Sequence, residues 1–505
     1  MGYLFLTGAT GLLGSYLIRD LTRRGTKLAV LVRPTRFASA QHRIEGLMER
    51  WEKQAGHTLP RPVVLEGDLS RPDLGLDTST ARWASQNCEA VMHNAASLTF
   101  YADAADSEPW RSNLQGTRHV LEFSRQIGIR NFHHVSTAYV CGLRRGRINE
   151  SELDLGQEHS NDYEVSKFEA EKLVRGAEFL DAPTIYRPGI ILGDSQSGYT
   201  STFHGFYVPL KLVASLITKT AGINAPREMV MAGIRLGSQR LQQILELSGR
   251  EAKNFVPVDW VSAVMAKIYT HPQHHGQTYH LTPRNRVLVT MFQRVIEQVF
   301  LKYTELTSSA TATNVDWTEF EKFFLDGMAV YRSYWGDDPE FDTTNTDRAA
   351  PKLPCPEFDE AMFSRMCKFA IESNFGWPRT PPTEIEFDVH KHLSLLTNGD
   401  NPVDGTNDDS VFLGLQVNGR GGGQWELTMQ DGKITAAAQG LSSRCTATYY
   451  LNSKTFQRLA NRKTTVEQAI GTGGVLIEGN GVPVDDLARV LQGLANGQNR
   501  SLPGR

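Results

Sequence analysis

"YLFLTGATGLLGSYLIRDL" runs from Tyr3 to Leu21, and its two halves follow different periods. Tyr3–Thr7 is a short unbroken apolar run, as in a strand buried on both faces, whereas Leu13, Leu17 and Leu21 recur at the spacing of one helix face. Between them stand Gly8, Gly11 and Gly14. A strand that turns at once into a helix needs glycine where the backbone bends tightly and where a pyrophosphate comes against it. The helix N-terminus then receives the negative charge. The spacing is G-x-x-G-x-x-G, not the G-x-G-x-x-G of the ordinary dinucleotide fingerprint. Gly8, Thr10, Gly11, Leu12, Leu13 and Gly14 are therefore the candidate cradle of a dinucleotide.

Outward from this turn the alternation continues. "KLAVLVR" (27–33), "PVVLEGDL" (62–69), "AVMHNAA" (90–96), "NFHHVSTAYV" (131–140) and "PTIYRPGIIL" (183–192) are separated by helical or loop stretches. Such alternation predicts an α/β fold, a Rossmann-type doubly wound parallel sheet covered on both faces. It closes near "NFVPVDWVSAVMAKIY" (254–269) and "TYHLTP" (278–283), which sets a first domain at 1–288. Residues 289–380 read as a mainly helical extension interrupted by turn-rich sequence. After "WPRTPP" and a loop at 398–410, short strands such as "VFLGLQVNG" and "QWELTMQDG" predict a small α+β domain over 385–497. Helical stretches near 453–470 and 484–496 flank "GVLIEGN" (474–480) within it, and 498–505 reads as a disordered tail.

Bulk composition narrows the function. The 505 residues carry a net charge of −3, with 40% hydrophobic and 22% charged residues, an ordinary globular balance. The densest basic group, Arg144, Arg145 and Arg147, is too short for a phosphate-tracking surface, so nucleic acid is not expected as a partner. Five cysteines with no C-x-x-C spacing fit reduced thiols better than a disulfide framework or zinc site. No apolar run approaches the ~18 residues of a membrane span, and the immediate strand leaves no room for a signal peptide. The expected location is cytoplasmic. His271, His274 and His275 have no carboxylate or cysteine at ligand spacing, so no metal is expected. His133 and His134 face opposite sides of one strand. Neither they nor His390 and His392 are assigned a function.

Two further features bear on the cofactor and the chemistry. An NAD site would carry Asp or Glu at the end of the second strand, but Arg33 stands there, nineteen residues after Gly14. A guanidinium pairs well with a 2′-phosphate, which favours NADPH, with Arg43 a second candidate for that phosphate. Asp68 and Leu69 in "GDL" and Ala95 in "HNAA" are expected along the cofactor path, Asp68 as the last residue of the third strand. In "NDYEVSKFEAE" (161–171), Tyr163 and Lys167 share one helix face a turn apart. A phenol of pKa ~10 is a poor acid–base at neutral pH. The lysine and an oxidised nicotinamide are expected to lower it toward the working range.

The glycine turn, "GDL", "HNAA", "NLQGT" (113–117), "HVSTAYV" (134–140), Tyr163-x-x-x-Lys167 and "YRPGIILGD" (186–194) occur in this order. Together they resemble an extended short-chain dehydrogenase/reductase over about the first 285 residues. "VSTAYV", "YEVSKFEAE", "RPGIILGD" and "VPVDWV" look most like its fatty acyl-CoA reductase and thioester reductase branch. "VYRSYWGDDPEFDTTNT" (330–346) is similar to the start of the fatty acyl-CoA reductase extension. The resemblance implies a catalytic Thr137, Tyr163 and Lys167, with Tyr163, Lys167, Pro188 and Ile190 also on the cofactor. Thr137 is four residues before the tyrosine of the family's "VYG" turn, a tyrosine replaced here by Cys141. Ser136 is then a packing hydroxyl. The run "VNGRGGGQWELTMQDGKI" with "IEGN" resembles the sterol-carrier-protein lipid-binding domain. The implied function is NADPH-dependent reduction of a long-chain acyl thioester, on coenzyme A or an acyl carrier protein, to aldehyde or alcohol. Peripheral membrane contact is a further expectation. A reductase of sterol, isoprenoid or polyketide ketones stands as the alternative, and a lipid-transfer protein with a cofactor-sensing half as another.

Overall fold

β1 (Tyr3–Thr7) is buried along its whole length, and its side chains alternate between two cores: Leu4 and Leu6 enter one, Tyr3 and Phe5 the other. The computed structural model describes residues 2–35, 38–220, 248–291, 294–299, 322, 334, 336–376, 389–394, 410–418, 422–430, 433–442 and 444–479. From β1 the chain continues as α1 (Leu12–Arg23), β2 (Leu28–Val32), α2 (Ala40–Ala55), β3 (Val63–Glu66), α3 (Thr78–Asn87), β4 (Cys88–His93), α4 (Gly116–Gln126) and β5 (Asn131–Val135). After β6 (Arg147–Ile148) come α5 (Asp162–Arg175), β7 (Thr184–Pro188), β8 (Ile190–Leu192), α6 (Tyr207–Thr220), β9 (Ala252–Lys253), β10 (Phe255–Pro257), α7 (Val258–Tyr269), β11 (Thr278–Leu281) and β12 (Val287–Leu288).

Seven strands form one parallel sheet in the order β11-β7-β5-β4-β1-β2-β3. The order runs outward in both directions from β1 and β4, so the crevice beyond their carboxyl ends is the topological switch point where such sheets bind ligands. Leu13, Leu17 and Leu21 all lie in the core beneath α1, as their spacing predicts. β3 ends at Glu66, so Asp68 lies beyond the strand rather than ending it. The reason is local: the Asp68 carboxylate accepts from the Ser70 amide (2.9 Å) and hydroxyl (2.8 Å), which closes a turn instead of extending the ladder.

Where it is described, the sequence after β12 is tied to this sheet region. β13 (Glu340–Phe341) pairs with β6, β8 with β10 and β9 with β12. The Asp338 carboxylate accepts from the Tyr139 hydroxyl (2.7 Å), the Lys253 ammonium (2.9 Å) and the Asn254 amide (2.9 Å). Glu150 accepts from the amides of His280 (2.9 Å) and Asn345 (2.7 Å), the latter in α8 (Thr344–Ala349). Phe363 and Met366 of α9 (Glu360–Glu372) bury against Phe206, Tyr207, Leu210 and Phe255. Phe206, Tyr207 and Leu210 are therefore core, while His204 and Gly205 just before them border the cleft described below.

The C-terminal region holds α10 (Val389–Ser394), β14 (Val411–Asn418), β15 (Gly423–Gln430), β16 (Lys433–Gln439), β17 (Ala447–Asn452), α11 (Ser453–Ala460), α12 (Val466–Gly471) and β18 (Val475–Gly479). The strands form a second sheet, β16-β15-β14-β17-β18. Leu413, Leu415 and Val417 join Trp425, Leu427, Phe456 and Leu459 in its own core. The alternate side chains of β14 turn the other way. Asn418 Nδ2 donates to the Pro62 carbonyl (2.9 Å) and Gln416 Nε2 to the Val64 carbonyl (3.5 Å), on the outer edge of the parallel sheet. Tyr450 sits against Tyr3 and Trp83, with ring centroids 6.4 Å from each. The expected helix at 484–496, the tail at 498–505 and all but the last residue of the loop at 398–410 lie outside the described residues. No described helix is long and apolar enough to cross a membrane.

Candidate active site

The glycine turn is shaped by close approaches that its spacing foreshadows. Gly8 has φ +69°, and a Cβ there would stand 2.6 Å from the Ala95 amide; a Cβ on Gly14 would stand 2.0 Å from the Gly8 carbonyl oxygen. Neither position admits another residue without moving backbone. The Gly11 amide donates to the Gly8 carbonyl (3.1 Å), and α1 starts at the next residue without a side-chain cap. The first-turn N–H groups of such a helix have no partner within it, and together with the helix dipole they make an anion site. Thr7 fastens β1 to β4: its hydroxyl bonds His93 Nδ1 (2.8 Å) and accepts from the amides of Asn94 (3.2 Å) and Ala95 (3.1 Å). Ala95 is thereby held against the turn.

A cleft of about 560 Å³ opens over this turn. It is bordered by Gly8, Thr10, Gly11, Leu12 and Leu13, by Arg33, Arg43, Asp68, Leu69 and Ala95, and by Thr137, Tyr163, Lys167, Pro188 and Ile190. Among the residues singled out from the sequence, Gly14 alone does not border it; it supports the turn from behind. At one end two guanidiniums lie together. Arg33 is 69% exposed and its Nη1 stands 3.6 Å from Asp68. Arg43, the lesser candidate in the sequence, is the better held, donating to the Thr10 hydroxyl (2.6 Å) and the Arg33 carbonyl. Both its partners are uncharged. Burial and then the neighbouring Arg33 charge pull the Arg43 guanidinium below its usual range, so an anion between the two would be welcome.

At the other end, α5 is capped by the Asn161 side chain, which accepts from the Glu164 amide (3.0 Å), and the cap brings Tyr163 into the first turn. The Thr137 hydroxyl accepts from the Tyr139 amide (3.3 Å) and stands beside the Tyr163 phenol on the cleft. Lys167 Nζ donates to the Val135 carbonyl (2.6 Å). Burial pushes Tyr163 up to about 12; Thr137 pulls it down and the Glu164 charge pushes it up. The expectation that the lysine and an oxidised nicotinamide together lower the phenol concerns the cofactor-bound site; in the protein alone burial dominates. Burial acts on the lysine too, which falls to about 8. Tyr163 is thus protonated at neutral pH, the state an acid requires. His93 and His134, buried near Lys167, are held well below the usual imidazole range by burial first and the lysine charge second.

Sequence reading missed Phe100, Tyr139 and Tyr334, three aromatic residues on the cleft. Tyr139 lies inside the quoted "VSTAYV" and Tyr334 inside "VYRSYWGDDPEFDTTNT", though neither residue is assigned a role there, and Phe100 belongs to no motif. Among the described residues no cluster of three or more His, Cys, Asp or Glu could hold a metal ion.

Parallel-sheet topology and glycine turn define an α/β dinucleotide-binding protein. The chain matches the family described as Male sterility protein, a group of NAD-binding domains, over residues 6–265, more than half its length, and it belongs to that family. It is 26% identical over 298 residues to the nonribosomal peptide synthetase asaC of Aspergillus flavus, covering 56% of this chain and 26% of that protein. It is 27% identical over 301 residues to the aldehyde reductase lnbA of the same fungus, covering 56% of this chain and 27% of that one. The chain thus spans about a quarter of the length of these curated relatives. Among solved structures it is similar to the terminal R domain from the myxalamid PKS-NRPS biosynthetic pathway, at 26% identity and a TM-score of 0.57, covering 76% of this chain and 93% of that one. The family implies a nicotinamide dinucleotide, and the cradle of Gly8, Gly14 and the α1 N-terminus suits a pyrophosphate.

Proposed function

We propose that this protein is an NADPH-dependent reductase of acyl thioesters, acting through Thr137, Tyr163 and Lys167. One observation carries the reading: a single cleft joins a glycine-lined anion site, two neighbouring guanidiniums and a buried Thr–Tyr pair with a lysine beneath it. Gly8, Thr10, Gly11, Leu12 and Leu13 would hold the pyrophosphate, Arg43 and Arg33 the 2′-phosphate, Asp68 and Leu69 the adenine side, and Ala95, Pro188 and Ile190 the nicotinamide side. Bound there, NADPH supplies the hydride.

Thr137 and Tyr163 hydrogen-bond the carbonyl oxygen as negative charge develops on it. Tyr163, protonated at neutral pH, delivers its proton to that oxygen. Lys167, anchored on Val135, sets positive charge beneath the phenol and holds the nicotinamide ribose. With a thioester the product of this step is a hemithioacetal, which expels the thiol and leaves an aldehyde; a second reduction gives the alcohol. The similarity to a peptide synthetase and to a terminal R domain supports a carrier-bound acyl group, and that to an aldehyde reductase supports the second step. The C-terminal sheet with its helices supports a lipid-holding role for 385–497, which favours long acyl chains.

The test follows NADPH oxidation by the full chain with a long-chain acyl-CoA, the acyl group on a carrier protein, the matching aldehyde and a sterol ketone, each repeated with NADH. Oxidation with either thioester, and preference for NADPH, is the expected result. Turnover of the ketone alone would overturn the thioester reading.

A further inference from the structure

One wall of the cleft is built of aromatic rings. Phe100, on the loop after β4, stacks on Tyr334 with ring centroids 5.1 Å apart and planes 22° from parallel. The Tyr163 ring meets Phe100 edge-on at 5.9 Å, and Tyr139 meets Tyr334 edge-on at 5.6 Å. All four rings border the cleft, with Leu98 beside them.

Their hydroxyls are directed elsewhere. Tyr139 donates to Asp338 (2.7 Å). Tyr334 donates to Glu164 Oε1 (2.7 Å) and accepts from Asn161 Nδ2 (3.2 Å), so it is fastened to the cap of the helix that carries Tyr163. Glu164 is itself held by the Ser160 amide at its other oxygen (2.8 Å). With their protons committed, Tyr139 and Tyr334 offer ring carbon to a ligand. A carbonyl at the Tyr163 hydroxyl would have this surface within one ring's width, alongside the first few carbons of whatever it bears.

We infer that Phe100 and Tyr334 form the wall that receives the acyl chain beside the reacting carbonyl, and that Tyr334 makes the site selective for acyl groups that are apolar at the carbons nearest it. The inference rests on the reductase reading for the position of the carbonyl. A hydroxyl or charge on those carbons would lose water against ring carbon with no partner in exchange. Each methylene laid on the wall strengthens binding by up to about fourfold.

A binding test separates the wall from the chemistry. The full chain saturated with NADP is titrated by calorimetry with straight-chain primary carboxamides of increasing length, carbonyl compounds that stand in for the substrate, and with a 3-hydroxy amide. In the wild type affinity should climb with each added methylene, and the hydroxy amide should bind at least tenfold more weakly than its parent. Tyr334→Ala should flatten the climb while leaving NADP affinity unchanged, and Tyr334→Phe should keep it. Phe100→Ala approaches the same wall from another loop and should act like Tyr334→Ala. A wild type with no dependence on length, or a Tyr334→Ala and Phe100→Ala pair that both retain it, would overturn the inference. Amides that bind as expected to a protein that reduces no thioester would leave the wall standing and remove the reductase reading instead.

Discussion

The carboxyl ends of the parallel strands and the outer edge of the same sheet are treated in opposite ways. Around the cleft, polar groups are held in place with capacity to spare: the first-turn amides of α1 lack helical partners, and Arg43 rests on two uncharged oxygens. Along β3 the polar groups are consumed, with the Gln416 and Asn418 amides spent on the Val64 and Pro62 carbonyls and Tyr450 filling the space against Tyr3 and Trp83. No described residue beyond Tyr334 borders the cleft. The contrast teaches that an attached sheet can belong to the same core as a catalytic domain without touching its chemistry. Any lipid carried by 385–497 would reach the cleft by leaving one surface and entering another.

The widest separation of the two regions should come from Tyr163→Phe. Loss of a positioned acid costs on the order of 10³-fold in kcat, and melting temperature and NADPH affinity should stay near wild type. Tyr450→Ala is the mirror experiment. Removing a buried ring should cost about 3 kcal/mol in denaturant unfolding with kcat unchanged; a fall in kcat per folded molecule would show that the regions are coupled after all. Arg43→Ala should lower the ratio of NADPH to NADH affinity by roughly tenfold, the worth of a charge-assisted bond, and leave NADH binding alone.

The smallest effect is one of pH. Lys167 has a folded value of about 8, so the reduction rate should be level below that pH and fall as pH rises through it, while Tyr163 at about 12 stays protonated. Lys167→Arg should remove the descending limb, because arginine keeps its charge. Stability moves the other way. The unfolded lysine holds its proton to about 10.4, so this residue's contribution is present above that pH and is lost as pH falls through about 8.

Local chemistry explains which of these features could be read in the sequence. Gly8 and Gly14 announced themselves because the constraint on each comes from backbone within the same turn or the adjoining strand end. Apolar runs such as Tyr3–Thr7 announced buried strands. The two-residue strands β6, β9, β12 and β13 did not, since a pairing that short is imposed by its partner. Lys167 beneath Tyr163 followed from helical spacing, but the direction in which the phenol shifts depended on burial, which spacing does not encode. That Phe100 and Tyr334 meet beside Tyr163 was invisible for a related reason. The Tyr334–Glu164 bond joins residues 170 apart in the chain, and only the tertiary fold makes them neighbours. Nothing in the residues next to Tyr450 says that its ring is buried against Tyr3 and Trp83 of a different sheet region.

The cover over β3 has a consequence for the protein's life in company. An uncovered outer strand offers its carbonyls to any extended segment that drifts past, and two such molecules can add to one another strand upon strand. Here side-chain amides occupy the Pro62 and Val64 carbonyls, so the seat is already taken from within. Covered in this way, the outer strand should resist self-association, and light scattering on Gln416→Ala/Asn418→Ala should record that resistance being lifted.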